Sequence, residues 1–227
     1  MLGINKSVLS QICWFEYNVT MKKIAIVGYK GKMGGLIFEA LKNKYSLIGV
    51  DKNDDIGQFS ALDLVVDFAS ADSSVSSAEY CLKNHVPIII GSTGQSAKQL
   101  ERLNEISKHI LLTKRANFSR GIEAMKQAID KIMLLSPEKI EIIEKHHIHK
   151  KDAPSGTALE LKNYIQKNFS KDIIIKSIRE GDEKGEHLVE FYFGSEKISI
   201  KHNVYSRTAF VEGVVFEIKK ILNGKLV

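Results

Sequence analysis

Short apolar runs alternate with helical segments along the first half of the chain. The runs lie at 23–27, 46–50, 62–67, 87–90 and 110–113, and most of the segments between them repeat their apolar positions with helical spacing. Continuous apolar runs of this length are typical of strands buried on both faces, and strands that alternate with helices form parallel sheets. The pattern predicts an α/β fold whose first part is a doubly wound parallel sheet.

The second half of the chain has a different pattern, with strand alternation and glycine-containing turns. Strands are predicted at 138–146, 173–178, 187–193 and 197–202, and helices at 121–135, 155–168 and 207–222. These segments predict a smaller α+β domain with a four-stranded mixed sheet, one face of which is covered by two helices. If the other face is apolar, it needs a partner, so we expect a homo-oligomer built by association of the sheets.

The first strand leads into a glycine-rich loop and then into a helix. The loop reads Gly28-Tyr29-Lys30-Gly31-Lys32-Met33-Gly34. Glycines let a backbone approach a pyrophosphate closely, and the N-terminus of a helix supplies N–H donors to it. This unit predicts a Rossmann-type dinucleotide site that includes Gly28, Tyr29, Lys30, Gly31, Lys32 and Met33. Lys30 replaces the middle glycine of the commoner fingerprint. The loop alone is therefore also compatible with a turn that binds no nucleotide.

Asp51 and Lys52 follow the second strand, where the adenosine ribose of a dinucleotide would lie. An acidic side chain there accepts hydrogen bonds from a free ribose 2′-hydroxyl, as in NADH, whereas a lysine can pair with the 2′-phosphate of NADPH. We therefore expect use of both NADH and NADPH, with some preference for NADH. The alternative is that Asp51 merely ends a strand.

The stretch 146–158 brings protonatable groups next to the start of a helix. It reads His146-His147-Ile148-His149-Lys150-Lys151-Asp152-Ala153-Pro154-Ser155-Gly156-Thr157-Ala158. Asp152 or Ser155 suits an N-cap and Pro154 suits a first helical turn, and free N–H groups at 155–157 would bind an anion such as a carboxylate. Imidazole and ammonium groups suit proton transfer to a negatively charged substrate. The alternative is a basic loop with solvated histidines.

The run 144–158 resembles the signature E-x-H-H-x-x-K-x-D-A-P-S-G-T-A of the dihydrodipicolinate reductase family, and no position of it is altered. The resemblance covers nearly all of the chain from Met21 onward. It implies NADH- or NADPH-dependent reduction of 4-hydroxy-tetrahydrodipicolinate to tetrahydrodipicolinate in lysine and diaminopimelate biosynthesis, by a homotetramer. It also implies that His146 donates a proton, that Lys150 is a second acid or charge stabiliser, and that the substrate is bound by His147, Gly156 and Thr157.

Three predicted strand ends in the first half resemble cofactor segments of the same family. They are Asp67-Phe68, Gly91-Ser92-Thr93 and Arg115-Ala116-Asn117-Phe118. Ligands of an open parallel sheet bind beyond the carboxyl ends of its strands, where all three segments fall. The resemblance therefore implies cofactor contacts at Gly91, Ser92, Thr93, Arg115, Ala116, Asn117 and Phe118. Ser92 and Arg115 depart from the residues that are usual in the family.

We expect two domains. Residues 21–116 and 204–227 would bind the dinucleotide, and residues 117–203 would bind the substrate and mediate oligomerisation. Residues 1–20 form an apolar stretch broken by Gln11, Glu16 and Asn18, which fits neither a secretory signal nor a membrane span. We expect Met21 to be the physiological start and residues 1–20 to be a disordered extension.

The composition narrows the possible partners. The chain has 227 residues, of which 44% are hydrophobic and 26% charged, and its formal net charge is +6. These values are typical of globular proteins, and the lysines are spread along the chain without a long basic run. We therefore expect a small-molecule dicarboxylate, attracted in part by the positive charge, no nucleic-acid or membrane partner, and a cytoplasmic location.

Cysteine and histidine spacing excludes several other classes. Cys13 and Cys81 form no spaced pair, so no disulfide framework is expected. The remaining histidines, at 85, 109, 187 and 202, are scattered, so no metal site is expected. A semialdehyde dehydrogenase would need a nucleophilic cysteine in a suitable loop. A non-catalytic protein that only keeps the nucleotide fold would leave residues 146–157 unexplained.

Overall fold

The computed structural model describes residues 21–52 and 54–224. The prediction of an extension at 1–20 lies outside the described residues.

The first sheet is five-stranded and entirely parallel. Its strands are β1 (Lys23–Val27), β2 (Ser46–Val50), β3 (Leu64–Asp67), β4 (Ile88–Ile90) and β5 (Leu112–Lys114), in the order β2-β1-β3-β4-β5. Four helices pack on it: α1 (Lys32–Leu41), α2 (Ala71–Asn84), α3 (Ala97–Ile106) and α6 (Thr208–Leu222). The predicted Rossmann-type doubly wound sheet is confirmed.

Both faces of this sheet are buried, which explains the continuous apolar runs. Ile24 and Ile26 of β1 belong to the core that faces α1 and α6. Ala25 and Val27 point the other way, into the core formed with α2 and α3. Successive side chains of a strand alternate between the two faces, so a doubly covered strand is apolar at every position.

The second sheet is four-stranded and mixed, as predicted. Its strands are β6 (Lys139–His146), β7 (Ile174–Arg179), β8 (Glu186–Phe193) and β9 (Glu196–Asn203), in the order β7-β6-β8-β9. β7 runs parallel to β6, and the other neighbouring pairs are antiparallel. One face packs against α4 (Arg120–Met133) and α5 (Gly156–Gln166), with Ile129, Leu161 and Phe191 fully or almost fully buried between them.

The other face of the second sheet is mixed rather than apolar. Glu141 on β6 lies between Lys139 and Lys176, and hydrogen bonds from these two ammonium groups lower its pKa to about 2. Ile174 and Ile178 of β7 are exposed on the same face. The sequence predicted an oligomer if this face is apolar. The face is only partly apolar, so that condition is met only in part.

Several element boundaries differ from the predicted ones for local reasons. α2 begins at Ala71 rather than near 74, because the Ser70 hydroxyl accepts the N–H of Ser73 and caps the helix there. β5 begins at Leu112 rather than at 110, because the Ile110 N–H is still bonded to the Ile106 carbonyl at the end of α3. The division into two domains near 117 and 204 stays a prediction, and the two sheets lie on either side of residue 117.

Gly213 provides a test of how closely α6 approaches the segment before α4. A Cβ atom added at Gly213 would lie 1.6 Å from the Phe118 carbonyl oxygen, a distance at which the backbone must move. We expect Gly213→Ala to lower the free energy of unfolding by about 1–3 kcal/mol, the usual cost of overpacking. Urea denaturation measures this, with Glu212→Ala on the exposed side of the same helix as the control. Equal midpoints for the two variants would contradict the close approach.

Candidate active site

The first crevice lies beyond the carboxyl ends of β1 and β3, where the strand order reverses. It has a volume of about 610 Å³, and its lining includes Val27, Gly28, Gly31, Val50, Asp51 and Lys52. Gly28 has a φ of +79°, a left-handed conformation that favours glycine. A Cβ at Gly34 would lie 2.1 Å from the Gly28 carbonyl oxygen. The glycine spacing is therefore required by a tight turn and by close packing of α1 on β1.

The start of α1 fits a dinucleotide pyrophosphate. Gly31 is the N-cap of α1 and has no side chain that could accept the first N–H groups of the helix. The first turn of α1, which lies in the described range 21–52, contains no acidic residue. The first N–H groups of a helix have no acceptor inside it, so those of Lys32 and Met33 can bind an anion at the positive end of the helix dipole. A backbone open to phosphate oxygens thus lines the crevice.

The ribose end of this crevice carries an ion pair. The Lys30 Nζ lies 3.3 Å from an Asp51 carboxylate oxygen, and this contact raises the pKa of Lys30. The Asp54 carboxylate accepts the Asp51 backbone N–H at 2.8 Å. Lys30 stands where the commoner fingerprint has its middle glycine. In this structure it adds a cation beside Asp51.

A second cavity of about 430 Å³ is lined by residues from both halves of the chain. Its lining includes Met33, Phe68, Gly91, Thr93 and Ala116 from the predicted dinucleotide-binding domain, Asn117 and Phe118 at the predicted boundary, and His146, His147, Lys150, Asp152, Ser155, Gly156 and Thr157 from the predicted substrate-binding domain. All five residues predicted for catalysis and substrate binding thus meet in one cavity with residues predicted for the cofactor. This is the candidate active site.

The α5 N-terminus forms one wall of this cavity. Ser155 is the N-cap, and its hydroxyl accepts the Ala158 N–H at 3.2 Å. The helix begins at Gly156, so Pro154 precedes the helix, and the expectation that it lies in the first turn was wrong. The N–H groups of Gly156 and Thr157 have no acceptor within the helix, and a Cβ at Gly156 would meet no atom within 4 Å. This end is open to an anion.

A buried ion pair holds the loop between β6 and α5. Glu144 is fully buried and accepts two hydrogen bonds from Arg179, at 2.9 Å and 2.6 Å, across the β6–β7 pairing. Glu144 also accepts the Ser155 N–H at 3.2 Å, while Arg179 donates to the Asp152 carbonyl at 2.6 Å. Burial raises the pKa of Glu144, but the bonds to Arg179 and other donors outweigh it and leave the pKa below its usual range.

Glu144 also orients His146. The Nδ1 of His146 lies within hydrogen-bond distance of a Glu144 carboxylate oxygen. An ionised carboxylate only accepts, so Nδ1 carries the proton and Nε2 is the free nitrogen, close to Gly185. Burial lowers the pKa of His146, and this effect outweighs the opposing effect of Glu144.

Lys150 is paired with Asp152 in this structure. Its Nζ donates to both carboxylate oxygens of Asp152, at 2.7 Å and 2.8 Å. Burial raises the pKa of Asp152, but the bond from Lys150 outweighs burial, and the pKa lies below the usual range. A ligand carboxylate can compete with Asp152 for this ammonium group.

Two further histidines continue a row across the second sheet. His187 on β8 is the register partner of Glu144 and of His202 on β9, and its ring lies 5.3 Å from that of His146. Burial, together with the neighbouring imidazoles, lowers the pKa of His187 to about 3. The His202 Nε2 lies 3.1 Å from the Ser119 hydroxyl at the start of α4. The rings of His146, His187 and His202 thus lie side by side on one face of the second sheet.

Five residues predicted to contact the cofactor line neither of these two cavities, although all lie in the described part of the chain. They are Tyr29, Lys30, Lys32, Ser92 and Arg115. The Tyr29 ring packs against Phe38, and the Arg115 guanidinium lies 3.6 Å from Glu123 and 3.3 Å from Glu217. Their roles in cofactor binding stay predictions.

Sequence reasoning missed Arg179, His187 and the function of Glu144. Glu144 stands two residues before His146 on the same face of a strand, and this spacing alone gave a usable signal. The partnership with Arg179 depends on the parallel register of β6 and β7, which no local pattern encodes. Within residues 21–52 and 54–224, no group of three His, Cys, Asp or Glu side chains is placed to hold a metal ion.

Comparison with known proteins identifies the family. The family models described as dihydrodipicolinate reductase, N-terminus and C-terminus match residues 46–118 and 121–226. The 4-hydroxy-tetrahydrodipicolinate reductase of Thermosipho africanus is 35% identical over 89% of this chain and 93% of its own length. The enzyme of the same name from Wigglesworthia glossinidia brevipalpis is 38% identical over 94% and 83%.

A solved structure has the same fold. It is a dipicolinate-bound dihydrodipicolinate reductase from Paenisporosarcina, 23% identical, with a TM-score of 0.73 over 89% of this chain and 95% of its own. The chain therefore belongs to the dihydrodipicolinate reductase family, the oxidoreductases that use NADH or NADPH to reduce 4-hydroxy-tetrahydrodipicolinate in lysine and diaminopimelate biosynthesis.

Proposed function

We propose that His146 is the proton donor of this reduction, that Lys150 is a second acid or charge stabiliser, and that His147, Gly156 and Thr157 bind the substrate. The observation that supports this most strongly is the shared cavity, because it brings these five residues next to Met33, Phe68 and Gly91 from the nucleotide-binding half. When bound, a reduced nicotinamide supplies the hydride that the reaction requires. The chain itself must supply the proton and neutralise the substrate charge.

His146 suits the donor role once the substrate is present. Burial lowers the pKa of His146 and so favours the neutral imidazole, in which the contact with Glu144 places the proton on Nδ1. A dianion bound beside the ring favours the protonated form, so substrate binding raises the pKa of His146 and places a second proton on Nε2. Glu144 stabilises the resulting imidazolium through Nδ1. Substrate binding thus itself generates the protonated imidazole that donates to the substrate.

The substrate carboxylates have two matching sites. One is the N-terminus of α5, with the free N–H groups of Gly156 and Thr157. The other is the side of the cavity that carries the Lys150 ammonium group, with His147 nearby in the lining. The Paenisporosarcina structure was solved with dipicolinate, a pyridine dicarboxylate, which supports a dicarboxylate ligand for the cavity of this chain.

Thiol chemistry is not supported at the described cysteine. Cys81 is a fully buried residue of α2, and burial raises the pKa of its thiol to about 12. A thiol with so high a pKa is a poor nucleophile at neutral pH. The semialdehyde dehydrogenase alternative therefore has no support at Cys81, and Cys13 lies outside the described residues.

The remaining parts of the proposal concern assembly and location. We propose a homotetramer in which the uncovered face of the second sheet mediates contacts, because Ile174 and Ile178 are exposed there beside ordered ion pairs. A cytoplasmic location is part of the same proposal. Among the described residues, no helix has the length and apolar character needed to cross a membrane.

Replacing Lys150 tests the catalytic assignment. We expect Lys150→Ala to lower kcat by about 100-fold or more, in line with the usual contribution of a general acid. Steady-state oxidation of NADH with 4-hydroxy-tetrahydrodipicolinate measures this. Lys151→Ala, an exposed neighbour that lines neither cavity, should keep kcat within about 3-fold and serves as the control. Near wild-type turnover of Lys150→Ala would exclude Lys150 as an acid.

Cofactor preference tests the ribose site. We expect kcat/KM to be measurable with both cofactors and higher with NADH, because Asp51 accepts from a free 2′-hydroxyl while Lys52 can pair with a 2′-phosphate. Asp51→Asn should lower kcat/KM for NADH more than for NADPH. Asp54→Asn, in the same crevice, is the matched control. A strong preference of the unaltered protein for NADPH would overturn this prediction.

Light scattering tests the assembly. We expect a mass four times that of the 25.5 kDa chain. Ile174→Glu places a charge on the uncovered sheet face and should lower the observed mass, whereas Leu134→Glu, at the end of α4, should not. A monomer at all protein concentrations would contradict the tetramer.

A further inference from the structure

Asn117 lies where the nucleotide-binding half meets the substrate side of the cavity. It follows β5, precedes α4 and is only 5% exposed. Resemblance to the family placed it among the cofactor contacts. Its side-chain hydrogen bonds, however, point toward the substrate site.

The orientation of the Asn117 amide is fixed by its neighbours. Its Oδ1 accepts the backbone N–H of Ser119 at 2.7 Å. Only the oxygen of an amide can accept from an N–H, so the nitrogen must occupy the other position. That nitrogen donates to the Thr157 Oγ1 at 2.8 Å. If the amide were rotated by 180°, its nitrogen would face the Ser119 N–H and that bond would be lost, so the bond to Ser119 fixes the orientation.

This arrangement fixes the direction of the Thr157 hydroxyl. A threonine hydroxyl has one proton and two lone pairs, and one lone pair is taken by Asn117. The proton must then point away from Asn117. Thr157 stands at the open N-terminus of α5 and lines the cavity, beside the free N–H groups of Gly156 and of Thr157 itself. The hydroxyl thus becomes another donor toward an anion bound at this helix end.

We propose that Asn117 is a positioning residue of the substrate site, which directs the Thr157 hydroxyl proton at a carboxylate bound at the N-terminus of α5. This inference rests on the proposed function, since it needs a carboxylate at that helix end. It assigns Asn117 to substrate affinity rather than to the cofactor. It also links the segment that joins the two halves to the carboxylate site through a single hydrogen bond.

The substitution Asn117→Asp tests this with little change in shape. One carboxylate oxygen still accepts the Ser119 N–H, while the other replaces the donor that faces Thr157. The Thr157 hydroxyl then donates to that oxygen and is lost to the ligand. We expect the Kd of dipicolinate, measured calorimetrically with NADH at saturation, to rise by about 10- to 100-fold, the effect of losing a hydrogen bond to a charged group.

Two readouts separate positioning from a merely structural role. The Kd of NADH should change by less than about 3-fold, and in turnover the substrate KM should rise while kcat stays within about 3-fold, because the carboxylate is bound equally in ground and transition states. Asn163→Asp, which adds the same charge to an exposed position of α5, controls for electrostatics and should leave dipicolinate affinity within about 3-fold.

A double-mutant cycle with Thr157→Val isolates the hydroxyl. Asn117→Asp raises the Kd of dipicolinate by one factor in the unaltered protein and by another in the Thr157→Val background. We expect the second factor to be smaller than the first by about 5-fold or more. Independent, multiplicative losses would overturn the inference, and so would an unchanged dipicolinate Kd in Asn117→Asp or a selective loss of NADH affinity. If the unaltered protein binds NADH but not dipicolinate, the proposed carboxylate site itself fails and this inference fails with it.

Discussion

The buried ion pair between Glu144 and Arg179 is the interaction on which the site depends. Removing one partner of such a pair typically costs about 3–5 kcal/mol, because the other charge is left in a poorly solvated place. Each partner also makes other hydrogen bonds. The Glu144 carboxylate accepts from the His146 ring and from the Ser155 N–H, and the Arg179 guanidinium donates to the Asp152 carbonyl. The pair therefore holds both ends of the loop 147–155, which carries Lys150. No helix or strand is needed within this loop to keep it in place.

The two halves of the molecule supply different parts of one site. The loops that follow parallel strands all lie at the carboxyl edge of the sheet, so Gly28 after β1 and Asp51 after β2 meet there. The mixed sheet buries one face under α4 and α5, and the α5 helix end then lies beside the strand end that bears His146. Neither half alone lines the cavity in which His146 and Lys150 lie beside Phe68 and Gly91. The cavity therefore depends on how the two halves are joined near Asn117.

Much of this arrangement could be predicted from local sequence. The apolar runs fixed the strands because both faces of the first sheet are covered, and the cluster 146–157 was found because its residues are neighbours in the chain. The Glu144–Arg179 bond could not be predicted in the same way, because it depends on the register of strands separated by α5. The ion pairs of Arg115 with α4 and α6, and the packing of Tyr29 on Phe38, likewise come from tertiary contacts. Local patterns located the site, and long-range contacts set its geometry.

The row of imidazoles formed by His146, His187 and His202 has a consequence for stability in acid. His187 takes up a proton only near pH 3 in the folded protein, against about 6.5 for the ordinary side chain, because it is buried next to His146 and His202. Between these two values the unfolded chain binds more protons than the native one, so acidification in that window favours unfolding, while above it this group has no effect. The packing that buries His146 and His187 thus also makes the fold less stable as the pH falls from about 6.5 toward 3.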